Sequence, residues 1–298
     1  MRAARLHEIG GAPRIDEVDE PAGGELLEVS AAALNPVDVA IGNGRFYGGT
    51  PELPYVIGSE AVGRTGDGRR VWYYAPSYVS CMAERVVASP ERTVEIPDGV
   101  DDGLALACGI AGLTGWLAVA WRARVTPEDT VLVLGASGTL GATALQAAKA
   151  LGARRVVGAA RRVEAVPEAA DDAVSLAGEY ELPQATVVVD GLWGEPAERA
   201  LEAAAPGVRF VQLGQSAGPT ATLASAWVRG KSARILGLAV QSVPAEARAE
   251  GYRDLCSHVT AGRIRLPVET YPLESVAEAW NRQATGSPGA KIVVELGG

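Results

Sequence analysis

Residues 131–152 read VLVLGASGTLGATALQAAKALG: four apolar residues, a glycine-rich turn and an alanine-rich stretch of helical composition. Within it, Ala136-Ser137-Gly138-Thr139-Leu140-Gly141 fits the G-x-G-x-x-G dinucleotide fingerprint, with Ala136 in the first glycine slot. Each position has a physical task. Gly138 lacks the Cβ that would keep a pyrophosphate off the backbone, and Gly141 lets the helix pack closely on the strand. The helix N-terminus then offers free N–H groups and the positive end of its dipole. Glycines also make ordinary turns. Here the apolar run before, the unbroken helix pattern after, and Gly152 at the place of a C-cap argue for a nucleotide.

The end of the second strand indicates which nucleotide. A site for NAD carries Asp or Glu there, about 20 residues past the turn, to accept from the ribose hydroxyls. Residues 156–164 read VVGAARRVE instead, with small residues in place of the acid, then Arg161 and Arg162. Guanidinium pairs with a 2′-phosphate through charge-assisted hydrogen bonds, whereas a carboxylate repels it. The expected cofactor is NADPH; the alternative is that both arginines form a solvated loop face. Asp190-Gly191 and Gly214-Gln215 close two further strand-like runs, at the carboxyl edge where an open parallel sheet binds ligands. Their backbone is expected to meet the ribose and nicotinamide.

The elements that must hold these groups change character along the chain. From 131 onward the runs VLVLG (131), RVVGAA (155), TVVVDG (186), VRFVQLG (208) and RILGLAV (234) alternate with helix-like segments, which predicts a doubly wound parallel sheet. The first hundred residues carry shorter runs broken by Gly, Pro and charge, such as ELLEVSAAAL from 25 and ERVVASPERTVEIP from 84. That spacing suggests a compact, barrel-like β domain. Residues 102–123 are helical in spacing, as are 245–262 and 274–286, and a last strand follows, AKIVVEL from 290. It is expected to return to the first domain. The resulting division is 1–109 with 241–298, and 110–240.

Composition sets outer limits. The 298 residues are 48% hydrophobic, enough for two cores. A net charge of −9 argues against nucleic acid as a partner. No apolar run of spanning length and no apolar signal core near residue 1 are evident, so a cytoplasmic protein with no membrane partner is expected. Cys81, Cys108 and Cys256 are too scattered for a disulfide framework or a paired zinc motif.

Taken together, several segments resemble the zinc-independent quinone oxidoreductase branch of the medium-chain dehydrogenase/reductase superfamily. They are LNPVDVAIGNGRFYGGTPELPYVIGSEAVG (34–63), VWYYAPSYVSCMAERVVASPERTVEIPDGV (71–100), GIAGLTGWLA (109–118), the glycine turn, VVVDGLWG (187–194) and KIVVEL (291–296). The resemblance covers nearly the whole chain and implies a discontinuous GroES-like catalytic domain beside a Rossmann domain. It also marks departures. Zinc-dependent relatives carry a Cys near Asn35 to Asp38 and Gly-His-Glu where this chain has Gly58-Ser59-Glu60. Without that thiolate and imidazole no catalytic metal is expected.

The chemistry implied is hydride transfer from NADPH to a polarised double bond of a quinone, an enone or an enoyl thioester. By the resemblance, Tyr47 donates a hydrogen bond or proton to the acceptor's oxygen, and Asn35 positions the nicotinamide or substrate carbonyl through its amide. Asp38 is read as structural. Thr114 matches a cofactor-facing threonine, and Lys291 matches a position near the cofactor. A homodimer is implied, with 234–240 as an edge strand that pairs with its twin. The competing reading is a non-catalytic NADPH-binding protein of the same fold, which needs only the turn and the arginines.

Overall fold

The computed structural model describes residues 1–76, 79–286 and 288–297. In chain order the elements begin with β1 (Arg2–Leu6), β2 (Arg14–Glu17), β3 (Glu25–Leu34), α1 (Pro36–Gly42), β4 (Tyr55–Val56), β5 (Glu60–Thr65), β6 (Arg70–Tyr74), β7 (Arg85–Ala88) and β8 (Thr93–Glu95). A helical stretch follows, with α2 (Asp102–Ala107) and α3 (Leu113–Leu117). Then come β9 (Thr130–Leu134), α4 (Thr139–Ala150), β10 (Arg155–Ala160), β11 (Asp172–Ser175), β12 (Val187–Asp190), α5 (Gly194–Ala203), β13 (Arg209–Gln212), α6 (Ser225–Gly230), β14 (Arg234–Gly237) and α7 (Ala245–Thr260). The chain closes with β15 (Val268–Pro272), α8 (Val276–Ala284) and β16 (Lys291–Glu295).

These elements form two units, Met1–Ile110 with Leu266–Gly298, and Ala111–Arg265. In the second unit six parallel strands run in the order β11-β10-β9-β12-β13-β14. β9 and β12 lie at the centre and are buried along their whole length, which is why TVLVL and VVVD read as continuous apolar runs. The order reverses between β9 and β12. The crevice at the carboxyl ends of those two strands is where such sheets take ligands. At 172-DAVS, β11 has no apolar run to announce it: it is a half-exposed edge strand, paired on one side with β10.

In the first unit the ten-residue β3 is the spine of a seven-stranded sheet ordered β15-β16-β3-β5-β6-β8, with β7 also on β3. β16 pairs antiparallel with β3, Ile292 opposite Leu34, so the end of the chain does return to the first unit. A second sheet, β2-β1-β4, shares its core, in which Leu6, Leu27, Ile57, Met82 and Trp280 are buried.

Two sequence expectations differ from this arrangement. The return to the first unit falls after Arg265, not at 241, because α7 packs on α3 and Gln146 of α4 hydrogen-bonds the Arg265 backbone in both directions. A stretch of spanning length does exist. Asp102–Ala123 is helical and apolar enough to cross a bilayer, yet 78% of its most apolar window is buried, so it is a core helix.

Candidate nucleotide and active sites

In the second unit, β9 runs into a turn whose tight residue is Gly135, with φ +78°. The sequence reading began the fingerprint one residue later. A left-handed residue at the strand end is what glycine supplies at no steric cost, and Ala136 follows fully buried, its N–H donated to the Ala159 carbonyl (3.1 Å). Gly138 is the N-cap of α4, and the Ala142 N–H reaches its carbonyl at 2.7 Å. The N–H groups of Thr139, Leu140 and Gly141 are the first of a twelve-residue helix and have no intrahelical acceptor. Gly141 sits hard against the strand, since a Cβ there would lie 2.2 Å from the Gly135 carbonyl oxygen. Next to Thr114, which is buried, Gly115 is packed as tightly, since a Cβ there would lie 2.3 Å from the Leu140 carbonyl oxygen.

The neighbouring strand ends converge on the same edge. Asp190 is opposite Leu134 on one side and Gln212 on the other. Its Oδ1 accepts from the Leu192 N–H (2.8 Å) and the Trp193 N–H (3.0 Å), pinning Trp193 at φ 56°. Burial pushes the Asp190 carboxyl up to about 6, against those backbone donors, and its Oδ2 has no partner among the described residues. Gly214 meets Gly191 so closely that a Cβ would be 2.8 Å from the Gly191 oxygen. Gln215, Arg161 and Arg162 are exposed, the arginines directly after β10. The turn, Asp190-Gly191 and Gly214 thus come together. The Trp193 ring packs edge-on against Phe210, with centroids 6.3 Å apart.

In the first unit a buried polar cluster gathers at one end of three adjacent strands. Asn35 follows β3, Ser59 immediately precedes β5, Glu60 begins it, and Lys291 begins β16. Lys291 Nζ donates to Asn35 Oδ1 (2.5 Å) and Glu60 Oε1 (2.6 Å). Asn35 Nδ2 donates to Ser59 Oγ (3.0 Å) and Glu60 Oε1 (2.9 Å). Ser59 Oγ donates to Asp38 Oδ2 (3.1 Å), which also takes the Asn35 N–H (2.6 Å). Glu60 Oε2 accepts from Trp72 Nε1 and the Ile110 N–H, both at 2.7 Å. All five side chains are at most 3% exposed. Desolvation raises the Asp38 carboxyl to about 7 despite the Asn35 N–H and the Lys291 charge, and its Oδ1 has no partner among the described residues.

Of the expected residues of this unit, Asn35 and Lys291 meet directly. Tyr47 does not join them. It is 81% exposed, with its ring 4.4 Å from that of Phe46. Glu60, Ser59 and the ionisable Asp38 are the members that sequence reading did not assign to the site. The available signal was two acids and a lysine inside otherwise apolar strand and helix-start segments.

A family described as zinc-binding dehydrogenase matches residues 151–294. A phenolphthiocerol/phthiocerol polyketide synthase chain of Mycobacterium tuberculosis is 30% identical over 327 aligned residues, which take in 99% of this chain and 14% of that protein. The quinone oxidoreductase of Rattus norvegicus is 33% identical over 154 residues, 46% of each chain. The chain therefore aligns with less than half the length of either relative. The crystallised quinone oxidoreductase from Thermus thermophilus, described together with its complex with NADPH, is 28% identical, with TM-score 0.81 over 99% of this chain and 100% of that one. The chain belongs to the medium-chain dehydrogenase/reductase superfamily.

The chain does not offer zinc a donor set at the cluster. Where a thiolate and an imidazole would be needed it has Asn35 and Ser59, and an ammonium nitrogen already sits between Asn35 Oδ1 and Glu60 Oε1. No group of three or more His, Cys, Asp or Glu is close enough to hold a metal among the described residues. A dinucleotide, by contrast, fits the second unit. Gly141 and Gly214 let the backbone of the turn and of the two neighbouring strand ends close up where a Cβ would collide (2.2 Å from the Gly135 oxygen, 2.8 Å from the Gly191 oxygen), and this cradle lies at the α4 N-terminus.

Proposed function

We propose that this chain is an NADPH-dependent reductase of activated double bonds, acting on a quinone or an α,β-unsaturated carbonyl compound. The observation that carries the reading is the glycine cradle at the switch point of the six-stranded sheet, in a chain of this superfamily. Thr139, Leu140 and Gly141 would take the pyrophosphate through backbone N–H groups, and Arg161 and Arg162 the 2′-phosphate. Asp190-Gly191 and Gly214-Gln215 would border the ribose and nicotinamide, and Thr114 the carboxamide. When bound, the cofactor supplies a hydride. The protein's share is to orient the acceptor and to stabilise the negative charge that develops on its oxygen. Tyr47, whose phenol is free to solvent, is the proposed donor of that hydrogen bond or proton.

The reading includes a homodimer built on the β14 edge, where Ile235 is 40% exposed on a strand paired on one side only. The test of function is NADPH oxidation with a short 2-enoyl thioester and a simple benzoquinone, side by side, with product identification. Saturable turnover of either supports a reductase and names the acceptor class. Tyr47→Phe should then lower kcat and leave NADPH affinity and melting temperature unchanged. Tight NADPH binding without reduction of either acceptor would favour the binding-protein reading instead.

A further inference from the structure

We propose that Lys291 is a positioning residue of the reductase site: its buried ammonium locks the Asn35 amide and is the cluster's fixed positive charge. This rests on the reductase reading above. The argument is one of valences. An ammonium only donates, and it donates to Asn35 Oδ1 and Glu60 Oε1. With Oδ1 so engaged, the amide nitrogen must face Ser59 and Glu60, and both of its hydrogens are used there. Flipping the amide would set NH2 against ammonium. Asn35 therefore has no donor left for a substrate carbonyl. What remains is the third N–H of Lys291, since the Asn35 side chain also caps α1 toward the Asp38 backbone N–H. Lys291 itself belongs to the first unit, in a cluster of that unit's own residues, whereas the nucleotide cradle is built entirely from the second.

The fold alone does not call for this ion pair. β16 and β5 are each hydrogen-bonded to β3 between them, with Glu60 opposite Ala33 and Ile292 opposite Leu34, so the sheet is joined without it. A desolvated pair is often replaced by apolar residues at no loss of stability, while removing one partner is costly. Its positions are also telling. Asn35 and Ser59 stand in the segments where zinc-dependent relatives carry Cys and His, and the cation among these oxygens is an ammonium. A fixed charge in a low-dielectric setting acts strongly on charge developing nearby.

The test uses the full chain, NADPH and whichever acceptor the wild type reduces. Lys291→Met should lower kcat about 100-fold and the melting temperature by on the order of 10 °C. The double variant Lys291→Met with Glu60→Gln removes both charges, and should recover the melting temperature without recovering kcat. NADPH Kd should stay within about threefold of wild type in both, because the cradle is untouched. In Lys291→Ala, added ethylammonium should restore turnover saturably, whereas ethanol should not. A double variant that recovers kcat along with stability would show a purely structural pair and overturn the proposal. So would a rise in NADPH Kd that matches the loss of turnover, because Lys291 would then be a cofactor contact. Failure of the reductase reading looks different: the wild type itself turns over neither acceptor.

Discussion

Replacing Gly141 with alanine probes the seat of the cofactor through a single methyl group. The added Cβ would lie 2.2 Å from the Gly135 oxygen, 2.8 Å from its carbonyl carbon and 2.9 Å from the Ala136 Cα. All three are backbone atoms, so no side chain can swing aside. A carbon settles about 3.3 Å from a carbonyl oxygen at closest, so α4 must retreat from β9 by about 1 Å. Overpacking of this kind costs about 1–3 kcal/mol, and rigid neighbours place it near 3. For a unit of this size that lowers the melting temperature by roughly 6–12 °C. The same retreat carries the Thr139 and Leu140 N–H groups away from a phosphate. Losing one charge-assisted hydrogen bond, about 1.5–3 kcal/mol, weakens NADPH binding by roughly 10- to 100-fold. The assays are a thermal melt without ligand and a fluorescence titration with NADPH. A variant that melts within about 2 °C of wild type refutes the packing argument. One that melts early yet binds NADPH normally refutes the assignment of the phosphates to α4.

Three other outcomes are expected. Arg161→Ala with Arg162→Ala should raise NADPH Kd about 10- to 100-fold and leave NADH Kd unchanged, since only the 2′-phosphate loses its partners; parallel titrations decide it. Asp38 and Asp190 are raised from 3.8 to about 7 and about 6, so the folded protein holds protons that the unfolded chain releases. Their contribution to stability is full below about pH 4 and is lost as pH rises through those values. Asp38→Asn should therefore flatten the decline between about pH 4 and 7 in urea unfolding. Ile235→Asp, on the β14 edge, should convert a dimer to monomers in sedimentation velocity and leave the melt of each unit intact.

What could be read without coordinates followed periodicity. The second unit's buried parallel strands announce themselves as apolar runs, because both faces of each central strand are covered. Gly138 and Gly141 were legible because a helix that starts against a strand needs small residues at fixed spacing. β11 was not, since an edge strand of half-exposed residues such as Asp172-Ala173 carries no apolar signature. The Asp102–Ala123 helix shows the reverse. Its composition meets the criterion for spanning a bilayer, and only its burial shows which solvent it was built for.

The sequence by itself determined the superfamily, the parallel sheet and the glycine turn between β9 and α4, all of them carried by local patterns along the chain. Tertiary structure alone decided that Lys291 meets Glu60 and Asn35, 231 and 256 positions away. It also decided that Asn35 spends both amide hydrogens inside the protein while Tyr47 stands in solvent. The reason is physical. Hydrophobic period is written within one element, whereas the partners of a buried polar group are fixed only when β16 is laid beside β3 and the group must be satisfied there.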